Sequence, residues 1–298
     1  MTLIILLGLA LQGDPEWAQW GDFGAGTRVL RKVTEEQGSL EKVERSETHT
    51  IKVWDGEVIE LERAVENGTT EPKRLLRPSK LAGRDLNEEE LTVGGKPYTC
   101  AVREDNFMHQ KFRWMVQRAT NAKIPVPDNA VRTIVEFRGD AGVRREVLEV
   151  TSFREGVELA VDDAKFACVI YEEQVTRLGL HEPRKRTRWW CKEAAVPGGL
   201  VREQETYVQG DFKWAWTITS TPAGKAKVGD REVATWKRVT VLEKTRPLVK
   251  GWKSREETVE RLSREVPGWT VSMEKTVTGD EGESRWTEQT VAFEAKKN

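Results

Sequence analysis

Three short stretches decide the fold, and they read Pro127-Asp128-Asn129-Ala130-Val131, Pro197-Gly198-Gly199-Leu200-Val201 and Pro267-Gly268-Trp269-Thr270-Val271. They lie 70 residues apart, since 197 − 127 and 267 − 197 both equal 70. Proline cannot donate to a β-ladder and so favours the entry of a strand, while Gly or Asn beside it permits a tight bend. Each stretch therefore predicts a turn that leads into a strand, and the fixed spacing predicts repeated units.

A second marker, a valine seven residues before a Cys or Thr, recurs with nearly the same period. Its copies are Val93 with Cys100, Val161 with Cys168 and Val228 with Thr235. The second members are 68 and 67 residues apart (168 − 100 and 235 − 168). Turn-forming residues follow each valine, and β-prone residues come next. The two markers predict an all-β fold, mainly an antiparallel meander with a repeated unit of about 70 residues. We expect curved open sheets or half-barrels with at most one or two short helices.

Alternation of polar and apolar residues supports strands inside each unit. Val131, Thr133 and Val135 alternate with Arg132 and Glu136, so the first set is predicted to be buried and the second to face water.

One segment, from Ser254 to Glu265, favours a helix instead. Ser254 and Glu257 have the spacing of a capping box, and Val259 and Leu262 lie three residues apart.

The N-terminus predicts export. Leu3 to Leu11 form an apolar run too short to span a bilayer but suited to a signal peptide. The alternative is an N-terminal strand or helix docked on the core. The predicted domains are a signal peptide at 1–12, a first β-rich unit at 13–125 with an insertion at 66–90, and repeated units at 126–195, 196–265 and 266–298. The predicted location is periplasmic or secreted.

Composition limits the class of partner. Lys and Arg number 48 against 49 for Asp and Glu, a net charge of −1, so no global field would hold nucleic acid. The charged fraction of 33% is too high for a membrane-spanning bundle, and no transmembrane span is expected in the mature chain. The oligomeric state is left open.

The cysteines are Cys100, Cys168 and Cys191, an odd number that cannot all pair within one chain. A hairpin about the loop 177–185 would place Cys168 opposite Cys191, because their midpoint falls inside that loop. A cross-strand disulfide and two free buried thiols both fit this register. The same logic around the loop 105–110 places Met115 opposite Cys100.

The sequence contains no recognisable catalytic motif. His49, His109 and His181 are scattered without metal-ligand spacing, so no metal site and no cofactor are predicted. Neither a serine-hydrolase elbow nor a phosphate-binding loop is present. Adjacent carboxylates such as Asp162 and Asp163 would point to opposite faces of a strand and could not flank one bond. We therefore expect a protein that is not an enzyme.

Tryptophan is the unusual residue, with 12 copies. Trp214 and Trp216 are predicted to share one face of a strand, and Trp189 and Trp190 to occupy opposite faces. Such rings either fill a core or bind a ligand. Beside the second pair lies a basic run, Arg184, Lys185, Arg186 and Arg188. It is either a charged hairpin tip or an attractor of an anionic polymer. The candidate binding residues are Trp189, Trp190, Trp214, Trp216, Arg184, Arg186 and Arg188.

Trp189-Trp190 followed by Val196-Pro197-Gly198-Gly199 resembles uncharacterised exported bacterial proteins with Trp-rich β-meanders. More distantly, the succession of long strands resembles the half-barrel of outer-membrane lipoprotein carriers. That resemblance implies an apolar ligand held between sheet and helices, and it transfers no functional residue.

Three functions follow as hypotheses. The first is a non-enzymatic cell-envelope or periplasmic protein that binds an apolar or amphipathic small molecule, or an envelope protein, on a concave sheet face. The second is extracellular glycan binding through exposed Trp, and the third, with least support, is a hydrolase.

Overall fold

The protein is almost entirely β-structure. The computed structural model describes residues 19–37, 42–55, 58–66, 68–76, 84–107, 112–139, 142–177, 183–191, 197–249, 251–280 and 282–296. The first nine strands are β1 Arg28–Gln37, β2 Val43–Trp54, β3 Val58–Val65, β4 Thr70–Leu76, β5 Arg84–Asp85, β6 Glu89–Val93, β7 Lys96–Phe107, β8 Phe112–Ala119 and β9 Ala130–Gly139. The others are β10 Gly142–Val161, β11 Ala164–Arg177, β12 Arg184–Trp190, β13 Leu200–Gln209, β14 Phe212–Val228, β15 Arg231–Thr245, β16 Lys253–Leu262, β17 Thr270–Gly279 and β18 Gly282–Glu294. A 3-10 turn covers Pro127–Asn129.

All 18 strands belong to one curved antiparallel sheet. Consecutive strands pair from β1 to β4 and from β7 to β18, while β5 and β6 both pair with β7. Strand β1 pairs with β2 on one side and with β18 on the other, so the first and last strands are neighbours in the sheet. Among the described residues the sheet stays open between β4 and the β5–β7 group. The predicted all-β antiparallel fold is confirmed.

The 70-residue period is visible in the strands themselves. Strands β9, β13 and β17 begin at Ala130, Leu200 and Thr270, and 200 − 130 and 270 − 200 both equal 70. The residue before each start has a left-handed backbone, with φ of 59° at Asn129, 71° at Gly199 and 58° at Trp269. The repeated sequence stretches therefore encode a repeated backbone conformation, which Gly and Asn adopt more readily than other residues.

The second marker also has its predicted structure. Val93 pairs with Lys96, Val161 with Ala164 and Val228 with Arg231, so a two-residue hairpin follows each valine. The turn prediction from Gly and Asp at these places is confirmed.

The predicted helix from Ser254 to Glu265 is wrong. Most of the segment forms strand β16, whose residues pair with β15 on one side and with β17 on the other. The β-branched Thr258 and Val259 suit a strand, and two complete ladders satisfy backbone groups that a helix would have satisfied internally.

Two other sequence predictions concern particular segments. The predicted signal peptide at 1–12 lies outside the described residues. The predicted insertion at 66–90 contains β4 and β5, with 77–83 between them also outside the described residues. Within the part of the chain that is described, no helix is long and apolar enough to cross a membrane.

The antiparallel meander gives the sheet two distinct ends. We call the end with the turns at 127–129, 197–199 and 267–269 the proline end. The opposite end, with the turns at 210–211 and 246–252, is the tip end. Four buried apolar clusters lie towards the proline end, and they are built around Val131, Val29, Val201 and Val271.

Candidate functional site

The predicted basic residues lie on one buried face of β12. Arg184, Arg186 and Arg188 are only 6%, 5% and 3% exposed, whereas Lys185 between them is exposed. Alternate residues of a strand point to one face, so these three guanidinium groups form a column inside the curve of the sheet. The interpretation as a solvated hairpin tip is therefore wrong.

Every arginine of this column is ion-paired. Arg186 Nε donates to Glu205 Oε2 at 2.8 Å, and Arg188 Nε donates to Glu203 Oε2 at 2.6 Å. Arg184 is 2.9 Å from Glu205 and 3.3 Å from Glu146. We call this set the arginine ladder; its members are Arg184, Arg186, Arg188, Glu146, Glu173, Glu203 and Glu205.

The ladder is electrostatically compensated. Burial alone would raise the pKa of Glu203, but the guanidinium groups of Arg188 and Arg186 outweigh burial and hold that pKa below its usual value. Because its four carboxylates outnumber its three arginines, the column presents no net positive charge to an anionic polymer. An ionised carboxylate clamped by arginines is also a poor proton donor at neutral pH.

A small cleft beside the ladder is lined by Tyr171, Glu173, Arg188 and Thr133. Its cavity volume is ≈ 20 Å³, which is about the space for one water molecule. Burial raises the pKa of the Tyr171 hydroxyl, so this group stays protonated. The cleft is too small for an apolar ligand.

Four side chains stack in one row across β12 to β15, nearer the tip end. The Arg184 guanidinium lies 4.7 Å from the Tyr207 ring centroid. Tyr207 stacks on Trp214 with ring centroids 5.8 Å apart and planes 6° apart. The Lys244 ammonium then lies 4.6 Å from the Trp214 ring. Cross-strand pairing in the sheet produces this order, because Tyr207 pairs with Trp214 and Trp214 pairs with Lys244.

This row covers Trp214, one of the rings that the sequence proposed for binding. Tyr207 is covered by Arg184 and Trp214, and Trp214 by Tyr207 and Lys244. Trp214 and Trp216 share a face, as predicted, and Trp216 lies opposite Glu205 of the arginine ladder. A sugar ring needs an open aromatic face, and Trp214 offers none.

The pair Trp189 and Trp190 divides between two apolar clusters. Trp190 packs against the cluster of Val131 and Tyr171, and Trp189 against the cluster of Cys168 and Cys191. The Arg202 guanidinium lies 5.3 Å from the Trp189 ring. Both indoles therefore serve packing.

Of the two predicted cysteine registers, the one that places Cys168 opposite Cys191 is confirmed and the one for Cys100 is wrong. Val169 pairs with Trp190, which puts Cys168 and Cys191 opposite each other one residue further on. Both are buried in one cluster and both are free thiols in the structure. The disulfide stays a prediction. Cys100 pairs with Ala119, so the predicted partner Met115 is wrong.

The sequence reading missed the surface at the tip end. Leu248 is 86% exposed and Val208 is 68% exposed, and Val249 is exposed beside Leu248. Phe212 and Trp252 lie at the same end of the sheet, with ring centroids 5.3 Å apart. Val208 follows Tyr207 in β13 and therefore points to the opposite face of the sheet from Phe212. We call these five residues the tip patch. The signal in the sequence was Pro247-Leu248-Val249, an apolar pair within a turn of an otherwise charged chain.

Cations surround the tip patch. Lys244 Nζ is 4.0 Å from the Phe212 ring and 5.6 Å from the Trp252 ring. The Arg246 guanidinium is 4.9 Å from Phe212 and 3.7 Å from Asp211. Within the described part of the chain, Lys244 has aromatic neighbours and no carboxylate partner.

Neither a metal centre nor a family assignment emerges. The described residues contain no group of three or more His, Cys, Asp or Glu side chains placed to hold a metal ion. No protein-family model matches the sequence, and no curated protein matches it.

The comparison with solved structures found a protein of unknown function from the DUF3598 family of Nostoc punctiforme PCC 73102. It is 9% identical, and the alignment covers 93% of this chain and 99% of that one. The TM-score is 0.18, so this similarity supports no conclusion about fold or function.

Proposed function

We propose that the protein is a non-enzymatic cell-envelope or periplasmic binding protein whose ligand is an amphipathic molecule with an acidic group. The tip patch is the binding surface. The observation that carries the proposal is the coincidence of the exposed Leu248 with aromatic rings and cations at one end of the sheet.

The apolar part of the ligand has a defined partner. Leu248 is far more exposed than the other large apolar residues near the turns, and Trp252 and Phe212 lie beside the turn that carries it. Contiguous exposed apolar side chains rimmed by polar ones are typical of an interaction site. An amphipathic molecule would cover them with its alkyl chain.

The acidic group also has partners. Lys244 is held by the rings of Phe212, Trp214 and Trp252, which leaves its charge without a carboxylate among the described residues. The Arg246 guanidinium forms a long ion pair of 3.7 Å with the exposed carboxylate of Asp211. A ligand phosphate would compete with that carboxylate for Arg246. Surface pairs of this kind contribute little, so exchange for a ligand costs little.

The concave face itself is a weaker candidate. The arginine ladder fills its middle with compensated ion pairs, and the cleft there holds about one water molecule. An apolar ligand could enter this region only by displacing those ion pairs, which would leave buried charges without their partners, at a large cost. The rim at the tip end avoids that cost.

Glycan stacking has less support because the candidate indoles are covered by other side chains. Trp214 has both ring faces covered, and Trp189 and Trp190 pack in apolar clusters. We therefore do not place a sugar on these three indoles.

Isothermal titration calorimetry with dodecyl phosphate below its micelle concentration tests the proposal. We expect binding that Leu248→Ser weakens roughly tenfold, because burying one leucine contributes about 1.5 kcal/mol or more. The neutral dodecyl maltoside should bind more weakly than the phosphate.

Valine substitutions supply a matched control. Val249 is 44% exposed in the tip patch, and Val291 is 43% exposed on β18. Val249→Ser should weaken binding and Val291→Ser should not. Equal binding by both variants, or a lack of dodecyl phosphate binding by the wild-type chain, would refute the proposal.

A further inference from the structure

We infer that the tip patch docks on the surface of an anionic phospholipid bilayer, which deepens the proposed function and rests on it. Small-molecule sites are concave and bury most of their ligand. The tip patch is convex instead, because Leu248 stands 86% exposed at the outer turn of a hairpin. A convex apolar tip fits an extended amphipathic surface better than a single bound molecule.

Two adjacent hairpins present the patch together. The turn at 210–211 joins β13 to β14, the turn at 246–252 joins β15 to β16, and β14 pairs with β15 up to Lys213 opposite Thr245. Described residues of the longer turn make two backbone hydrogen bonds with each other. Val249 N–H donates to Arg246 O at 2.9 Å, and Trp252 N–H donates to Val249 O at 3.2 Å. The two tips are therefore neighbours at one end of the sheet, where one extended surface can contact both.

The residue types follow the layers of a bilayer surface. Leu248 and Val249 at the outermost turn suit the acyl boundary, and Trp252 and Phe212 behind them suit the headgroup level, where amphipathic rings are enriched. Lys213 and Lys253 are exposed at the roots of the two hairpins, beside the half-buried Arg246. Basic residues at that depth are attracted to anionic headgroups.

The neighbouring tip sets the limit of the surface. Asp280 and Glu283 flank the turn between β17 and β18, and both are exposed. Their negative charge is repelled by an anionic bilayer, so the contact is confined to the side of the sheet formed by β13 to β16. The net charge of −1 adds no global attraction, which leaves the local patch to supply it.

Vesicle co-sedimentation of the full chain tests the inference. The probes are vesicles of phosphatidylcholine alone and vesicles with about 30% phosphatidylglycerol, whose negative surface potential attracts basic residues. We expect several-fold more protein bound to the anionic vesicles, and we expect binding to fall in about 0.5 M salt because the Debye length shrinks.

Variants separate docking from non-specific adsorption. Leu248→Ser and Lys253→Glu should each reduce the bound fraction several-fold, while Val291→Ser should match the wild type. Circular dichroism of each variant checks that it is folded. Equal sedimentation of Leu248→Ser and wild type would overturn the inference.

The outcome also separates the inference from the proposed function. Binding of monomeric dodecyl phosphate without vesicle binding would overturn bilayer docking and leave the proposed function standing. Binding of neither would overturn both.

Discussion

The indole of Trp190 occupies the space where a side chain on Gly199 would lie, with Trp190 Nε1 and Cδ1 in contact with that position. Gly199 has a φ of 71° and ends the second proline turn, just before β13. The motif Trp189-Trp190 with Pro197-Gly198-Gly199 is therefore a packing unit at the proline end, where a bare backbone lets a large ring close over the turn.

Gly199→Ala should cost more stability than Gly210→Ala. Both glycines have positive φ, so both variants pay about 1–2 kcal/mol for a left-handed alanine. No atom lies within 4 Å of the Cβ position at Gly210, so only Gly199→Ala displaces an indole. That displacement should lower the free energy of unfolding by a further amount of about 1–3 kcal/mol. Urea denaturation measures the difference, and equal losses would show that Trp190 does not restrict position 199.

Removing one arginine of the ladder should be severe. Arg186→Met leaves the buried Glu205 short of a partner, and breaking a buried ion pair in this way costs about 3–5 kcal/mol. Its exposed neighbour supplies the control, since Lys185→Met should change the free energy of unfolding by less than about 0.5 kcal/mol. Thermal and chemical denaturation of the two variants decide the matter, and a small loss in Arg186→Met would place the ladder at the surface.

The stability of the protein should fall between pH 7 and pH 5 because of His49. Burial, and then the charge of Arg31, lower the pKa of His49 from 6.5 to about 4, against the opposing effect of Glu47. Between these two pKa values the folded state binds fewer protons than the unfolded state does. The contribution of neutral His49 to the free energy of unfolding is therefore complete above pH 6.5 and is lost as the pH falls towards 4.

The expected loss attributable to His49 is about 2 kcal/mol by pH 5. His49→Gln should flatten the dependence of unfolding free energy on pH. A profile of the same slope in the variant would show that His49 is not buried in its neutral form.

The cysteines test the β11–β12 register. Cys168 and Cys191 face each other, and burial followed by the proximity of Cys191 raises the pKa of Cys168 to about 11. Both thiols are free in the structure. A scarce thiolate exchanges slowly, so a disulfide between them would have to form during folding. Folding in an oxidising glutathione buffer should leave one free thiol per denatured chain by thiol titration, and two in Cys191→Ser. Three thiols in the wild type would disprove the bridge.

The sequence was sufficient to predict the turns and many of the strand starts. Prolines at 127, 197 and 267 and the Gly or Asp turns after Val93, Val161 and Val228 predicted the strand starts and hairpins, because these turns need particular backbone angles. The hairpin around 177–185 was also predicted with its correct register. Local chemistry determines such features, and the sequence records it directly.

The distribution of charge was not predictable in the same way. The rule that charged residues face water placed Glu136 outside, yet it is 8% exposed, and it left Arg186 at a solvated tip, yet that residue is 5% exposed. Arg186 is balanced by Glu205 on a neighbouring strand. Such pairing depends on which strands become neighbours and on their register, which a single strand does not reveal.

The helix prediction failed for a related reason. The spacing of Ser254 and Glu257 satisfies a capping box, but in β16 Glu257 pairs with Val241 and Arg255 pairs with Glu243. Tertiary pairing overrides a weak local preference when two neighbouring strands offer complete ladders. The tip patch escaped notice because exposure of Leu248 follows from the position of its turn at the end of the sheet.

The most direct test of the tip patch as a binding surface is a two-dimensional spectrum of the indole N–H groups of 15N-labelled protein titrated with dodecyl phosphate. The resonance of Trp252, assigned with Trp252→Phe, should shift first, because its ring borders Phe212 and Lys244. The resonance of Trp20, buried in an apolar cluster at the proline end, should stay in place. A titration in which Trp189 or Trp190 shifts while Trp252 does not would contradict binding at the tip patch.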